Sequence, residues 1–226
     1  MGILRAKIVV ITGTDTGVGK TLVGAGLAFA LSRQGKRVIA VKPVESGCRQ
    51  GVSSDEDGAI LAEAAGQADP KHALVRLRAP LAPPVAAALE GCFLDMDAWC
   101  AHILEVADAA EVVLVEGAGG LLSPLTWKET TRDLARRLGA RALVVASDRL
   151  GTLNHTLLTL EVLAASNIPV GGIVFSAPES PDESTGRNAD SLRRFAEIDR
   201  AVTVPRVTGW REASEHLEEV ARWILS

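Results

Sequence analysis

The sequence predicts an α/β fold, doubly wound around a mainly parallel sheet with helices on both faces. Three observations carry this expectation: short Val/Ile-rich runs recur along the chain, longer helical patterns separate them, and a glycine-rich stretch joins the first run to the first helix. Continuous apolar runs, as opposed to alternating ones, are what a strand buried on both faces requires. Strand-helix alternation then places the helices as crossovers on either side of the sheet.

In chain order, KIVVIT (7–12) forms the first strand and ends in glycines, and an alanine- and leucine-rich helix follows over Lys20–Gln34. RVIAVK (37–42) ends in Lys42, with Pro43 setting the turn, and Asp57 opens a helix over Glu56–Ala65. LRAPLAPPVAAALEG, Leu77–Gly91, carries the proline punctuation of a loop leading into a helix over a ligand cleft. A helix over Asp97–Ala109 precedes the strand EVVLVE (111–116), which ends at Glu116, and Thr131–Leu138 is helical. ALVVAS (142–147) leads into a helix over Thr152–Asn167, PVGGIVFS (169–176) is the fifth long strand, and a last helix runs around Glu212–Leu225. Ser176–Phe195 is polar and rich in Pro, Gly and Ser, so it is expected to be a mobile surface connection. No internal repeat is visible.

The chain has 226 residues, 47% of them hydrophobic, which suits one domain spanning 1–226. A net charge of −4 without a basic cluster argues against nucleic acid as a partner. Three cysteines without a CxxC pair suggest neither a disulfide framework nor a zinc knuckle, and fit a reduced cytosol. MGILRAKIVVITG runs into the first strand without a cleavable apolar region, and Ala6 stands where a myristoylation signal wants Ser or Thr. The apolar runs are broken too often to span a membrane, so a soluble cytoplasmic protein is expected.

Ligands in doubly wound sheets bind beyond the carboxyl ends of the strands, and every unusual residue falls there. GTDTGVGKT, Gly13–Thr21, follows the first strand and opens the first helix. Gly17, Val18 and Gly19 offer backbone amides, Lys20 an ammonium for β and γ oxygens, Thr21 a hydroxyl for Mg²⁺, and Leu22 continues the helix whose amino terminus faces the anion. This is the P-loop NTPase type of sheet, with a variant loop: the first glycine is Gly13, one place earlier than the ordinary pattern, which would put it at Thr14. Chromosome-partitioning and septum-site ATPases carry variant loops with a signature lysine, and here that position holds Asp15. Lys42 brings a second lysine from the neighbouring strand, where a lysine could otherwise simply snorkel to the surface.

Glu116 is followed by Gly117, Ala118, Gly119 and Gly120, which let a ligand approach the backbone closely. A carboxylate there can serve Mg²⁺ together with Thr21 and a further acid, for which Asp57 leads and Asp55 and Glu56 compete. Gly151 and Thr152 begin a helix after a strand end, so its amides suit an anion; Asn154 could be ordinary capping, and His155 is given no catalytic role.

GTDTGVGKT, VKPVESG, LVEGAGGLLSPL and LGTLNHTLLTLE resemble, in order and spacing over about the first three quarters of the chain, the dethiobiotin synthetase family. The resemblance implies an ATP-dependent cyclo-ligase. 7,8-Diaminopelargonate takes up CO₂ as a carbamate, ATP phosphorylates it, and the second amine displaces phosphate to close a cyclic urea. It implies that Lys20 and Lys42 neutralise the transferring phosphoryl group, that Thr16 hydrogen-bonds the reacting groups, and that Ser46 positions the carbamate. Gly151, Thr152, Leu153 and Asn154 would receive the substrate's distant carboxylate, from a partner subunit if the chain shares the family's homodimeric state. Ser176 and Ala177 would meet the base with Pro205, Arg206 and Val207. Three departures stand out: Gly17 replaces a glutamate of some members, the chain has no tyrosine for the substrate tail, and Ser176–Ala177 replaces an Asn-Asp pair that reads adenine. ATP is therefore expected to work, with other nucleoside triphosphates also accepted. A ligase of cobalamin synthesis would need a glutaminase domain that does not fit this length. A partitioning-type ATPase acting as a nucleotide-switched binding module is the alternative from another class.

Overall fold

A computed structural model describes residues 6–196 and 198–226. Six parallel strands form the main sheet: β1 (Lys7–Gly13), β2 (Val38–Val41), β5 (Val112–Gly120), β6 (Arg141–Ser147), β7 (Val170–Ser176) and β8 (Ala201–Val204), in the spatial order β2-β5-β1-β6-β7-β8. β3 (Val44–Ser46) and β4 (Val75–Leu77) make a separate two-stranded parallel ribbon that the sequence pattern did not indicate. The helices are α1 (Lys20–Arg33), α2 (Asp57–Ala65), α3 (Pro83–Glu90), α4 (Met96–Ala107), α5 (Thr131–Leu138), α6 (Thr152–Ala165), α7 (Asn188–Ala196), α8 (Trp210–Glu215) and α9 (Glu218–Leu225).

Alternate residues of β1 enter two different cores, which is why its apolar run is continuous. Val9 and Ile11 pack with Leu27 of α1, Leu61 of α2 and Val220 of α9. Val10 faces the other way, with Ile103 of α4, Leu134 of α5, Leu163 of α6 and Leu192 of α7. The connection from β1 leads to β2 on one side, whereas the connection from β5 leads to β6 on the other. The crevice therefore opens over the carboxyl ends of β1 and β5.

Four expectations change. Glu116 does not end its strand: β5 continues to Gly120, pairing Gly13 of β1 with Gly120 across a register shift. The polar segment Ser176–Phe195 ends in a helix, α7, whose Ala189 and Leu192 are buried at helical spacing. Its first residue, Asn188, donates from Nδ2 to buried Asp148 at 2.6 Å. The last helical pattern is broken into α8 and α9 at His216–Leu217, with Leu217 buried in the core beside α1. The helix expected to begin at Asp97 starts at Met96, because Asp95 caps it by accepting from the amides of Asp97 and Ala98. Proline punctuation did mark a loop leading into α3. Among the described residues, no helix is long and apolar enough to cross a membrane. The expectation drawn from the amino terminus falls partly on residues 1–5, outside the described ones.

Candidate active site

The phosphate loop joins β1 to α1 through backbone shapes that glycine supplies. Gly17 and Gly19 have φ of 72° and 90°, and a Cβ on Gly19 would lie 2.6 Å from Ser176 Oγ. Lys20, the first residue of α1, is buried and donates from Nζ to the carbonyl of Asp15 at 3.1 Å. Burial lowers its pKa against the attraction of Glu116. Among the described residues no carboxylate forms an ion pair with it, so its ammonium suits an incoming phosphate. Asp15 itself is exposed and accepts from the Thr16 amide at 2.7 Å.

Behind the loop four side chains converge: Thr21 from α1, Asp57 from α2, Glu116 from β5 and Lys42 from just after β2, which is not the neighbour of β1 because β5 lies between them. Thr21 Oγ1 donates within 2.7 Å of Asp57 Oδ1 and 3.0 Å of Glu116 Oε1. Lys42 Nζ lies 2.7 Å from Asp57 Oδ2 and 2.5 Å from Glu116 Oε1, and also reaches the carbonyl of Gly117 at 3.4 Å. Lys42 is therefore buried and paired, not a snorkelling surface residue. Glu116 Oε2 is buried without a hydrogen-bond partner. Burial pushes the Glu116 carboxyl up against the pull of Lys42, while Asp57, partly buried, is held below the usual range by Lys42 and Thr21.

The choice among the three acids of SSDED is geometric. Asp55 is exposed and bonded to Ser53, and Glu56 is turned away to Arg76. Among the three, Asp57 alone meets Thr21 and Lys42, the two side chains that also hold Glu116. One hydroxyl and two carboxylates, one of them with a buried oxygen that has no partner among the described residues, form a hard, all-oxygen donor set of the kind Mg²⁺ takes. By contrast, Glu45, Cys48 and Glu56 have potential ligand atoms within 4.8 Å of one another, but each is engaged. Glu45 accepts from the Asp57 and Gly58 amides, Glu56 from Arg76, and burial pushes the Cys48 thiol up to about 11.

A cleft of about 830 Å³ gathers Thr16, Gly17, Gly19, Lys20, Thr21, Lys42, Ser46, Asp57, Glu116, Ala118 and Gly119. The hydroxyl of Ser46 is buried there without a partner. Sequence reasoning missed Glu45, Ser123 and Pro124 on its wall; Pro80 to Pro83 also line it, in the loop whose prolines had marked a cleft cover. Val18 and Leu22 do not line it, because their side chains pack into the core around α1.

Two expected groups are not part of the lining of this cleft. Ser176 abuts Gly19, and the Ala177 amide donates to the Val204 carbonyl at 2.9 Å, with Pro205, Arg206 and Val207 following β8. Gly151, Thr152, Leu153 and Asn154 start α6, with Gly151 left-handed at φ 87°. The Leu150 amide there is taken by Asp182 at 2.8 Å and that of Thr152 by the Arg149 carbonyl at 3.2 Å. His155 lines a neighbouring groove with Leu122 and Leu158. A further hollow of about 380 Å³, beside Phe93 and Trp127, has its carboxylates engaged: Asp95 caps α4, and Asp97 and Glu129 hold Arg137.

Residues 7–213 match the family model described as an AAA domain. The ATP-dependent dethiobiotin synthetase BioD of Anaeromyxobacter dehalogenans is 42% identical over 203 residues, covering 86% of this chain and 88% of that protein. The chain belongs to the dethiobiotin synthetase family. The BioD of Mycolicibacterium vanbaalenii is likewise 42% identical, over 199 residues, 87% of this chain and 86% of that one. Among solved structures, the cell division ATPase MinD of Pyrococcus furiosus matches with a TM-score of 0.63 at 16% identity, covering 97% of this chain and 98% of that one. A ParA family ATPase of Chlorobium tepidum matches at 0.58 and 13% identity, over 98% of each chain. These two likenesses show the fold alone.

Proposed function

We propose that this chain, as one domain, is an ATP-dependent dethiobiotin synthase of biotin biosynthesis, closing the cyclic urea of dethiobiotin from 7,8-diaminopelargonate and CO₂. One amine of the diamine adds to CO₂ and loses a proton, giving a carbamate. A carbamate oxygen attacks the γ-phosphorus and ADP leaves, and the second amine then attacks the carbamoyl carbon, releasing phosphate as the ring closes. The observation that carries this reading is the meeting of Lys42, Thr21, Asp57 and Glu116 beneath a phosphate loop, in a chain 42% identical to dethiobiotin synthetases.

Most of the rate enhancement in phosphoryl transfer comes from position and charge. Lys20 gives up its weak bond to the Asp15 carbonyl for a phosphate oxygen, and Lys42 stabilises the charge that develops on the transferring group. Ser46 has an unengaged hydroxyl in the cleft to orient the carbamate, and Thr16 stands at the loop to bond the reacting oxygens. Thr21, Asp57 and Glu116 would hold Mg²⁺, which would supply positive charge against the phosphates. Gly17 to Thr21 bind the phosphates; Ser176, Ala177, Pro205, Arg206 and Val207 face the base. The substrate tail's carboxylate is read by the start of α6, Gly151 to Asn154, across a homodimer interface. None of these four residues lines the cleft of its own chain, which supports this reading. The enzyme works in the cytoplasm.

The test is mass-spectrometric detection of dethiobiotin from ATP, Mg²⁺, bicarbonate and diaminopelargonate. ATP hydrolysis stimulated by DNA or liposomes, with no ring product, would instead favour the nucleotide-switched binding module.

A further inference from the structure

Glu45 sits in the middle of β3, directly opposite Arg76 of β4, and is buried. Its Oε1 accepts from the Asp57 amide at 2.7 Å and its Oε2 from the Gly58 amide at 3.0 Å. These are the opening amides of α2, which an isolated helix leaves without partners. The residue before the helix, Glu56, is extended and makes no side-chain cap. Its carboxylate goes to Arg76 instead, Nε donating at 2.7 Å. On the far side, Gly58 approaches the backbone so closely that a Cβ would lie 2.3 Å from the Ala73 amide nitrogen. The first turn of α2 is thus gripped by a cross-strand pair and a backbone contact. From that grip Asp57 reaches Thr21 with one oxygen and Lys42 with the other, each at 2.7 Å.

We propose that Glu45 is a positioning residue for magnesium-dependent nucleotide binding: by capping α2 from the β3–β4 ribbon it fixes Asp57 in the orientation that reaches Thr21 and Lys42, beside Glu116. This rests on the reading of Asp57 as a metal ligand. A capping serine or aspartate next to the helix would satisfy the same amides without linking them to the strand that carries Ser46. Glu45 makes that link, so the metal-facing carboxylate and the cleft wall are held by one short ribbon.

The test is calorimetric binding of a non-hydrolysable ATP analogue across a Mg²⁺ titration, without diaminopelargonate. The proteins are wild type, Glu45→Gln, Glu45→Ala, Asp57→Asn and the two double variants. Losing a helix cap moves an equilibrium by roughly threefold to tenfold or more, so half-saturating Mg²⁺ should rise about threefold in Glu45→Gln and about tenfold in Glu45→Ala. Glu45→Gln keeps one acceptor and the side-chain shape, and its turnover should recover at saturating Mg²⁺. In the Asp57→Asn background, neither Glu45 change should raise the Mg²⁺ requirement further. Additive shifts in the double variants, or equal losses of nucleotide affinity with and without Mg²⁺, would reduce Glu45 to a fold-supporting residue. Should Glu45→Ala not fold, the Gln cycle decides alone. A normal Mg²⁺ requirement in Asp57→Asn would instead remove Asp57 from the metal site.

Discussion

Lys42 Nζ lies 2.5 Å from Glu116 Oε1, with the two side chains only 4% and 1% exposed. Burial works against the charge of Lys42, but Glu116 and Asp57 outweigh it and hold the ammonium above the ordinary lysine range. The same lysine therefore serves the proposed chemistry and neutralises the interior.

Replacing it separates the two roles. Lys42→Met should leave Glu116 as an unpaired buried acid, a change of the kind that costs about 3–5 kcal/mol of stability. Turnover should fall roughly 10²- to 10³-fold, as for loss of other preorganised charge stabilisers. Adding Glu116→Gln should restore most of the melting temperature while turnover stays low. Thermal denaturation beside steady-state kinetics reads both, and recovery of turnover together with stability would make Lys42 structural only.

On the proposed placement of the base beside Ser176 and Ala177, weak base selectivity is expected from the end of β7. Ser176 is pressed against Gly19, and the Ala177 amide is already bonded to Val204, so neither offers the paired donor and acceptor of an asparagine. One missing hydrogen bond to a base is worth ~0.5–1.5 kcal/mol. Other nucleoside triphosphates, CTP included, should support ring closure within roughly tenfold to a hundredfold of ATP. Competition of each nucleotide against ATP at saturating diamine measures this. Strict rejection of all but ATP would assign the choice to the backbone of Pro205, Arg206 and Val207.

Away from the site, the start of α5 carries a pH-dependent contribution. Partial burial opposes the charge of Asp133, but the Thr130 amide at 2.9 Å, its hydroxyl at 2.8 Å and Arg132 prevail and hold the carboxyl below its usual range. A depressed folded pKa adds stability that is complete above the unfolded value and is lost as pH falls through the folded one. Asp133→Asn should therefore cost about 1 kcal/mol at neutral pH, with the gap to wild type narrowing only below pH ~4. Urea melts at several pH values test it, and a gap that does not change with pH would show that the charge contributes nothing.

The sequence by itself determined the glycine-rich loop, the succession of long strands along the chain and the sheet edge at which the expected site residues gather. Those features are written in adjacent residues: glycines that alone tolerate the left-handed turns at 17 and 19, and β-branched runs that only a doubly covered strand can bury. Tertiary structure decided the rest. In the sequence Asp57 leads only as the residue that opens a helix, with Asp55 and Glu56 still in competition; the three are sorted by partners distant along the chain, Arg76 for Glu56 and Lys42, Thr21 and Glu45 for Asp57. The helix α7 hides in a polar stretch because its few apolar contacts, and the hold of Asp148 on Asn188, exist only once β6 and β7 are side by side. Glu45 reads as one more surface acid until β3 and β4 pair and turn it under α2. A local pattern reports what a residue's neighbours in sequence permit; which charged group faces which is set by distant parts of the chain, and so appears only with the fold.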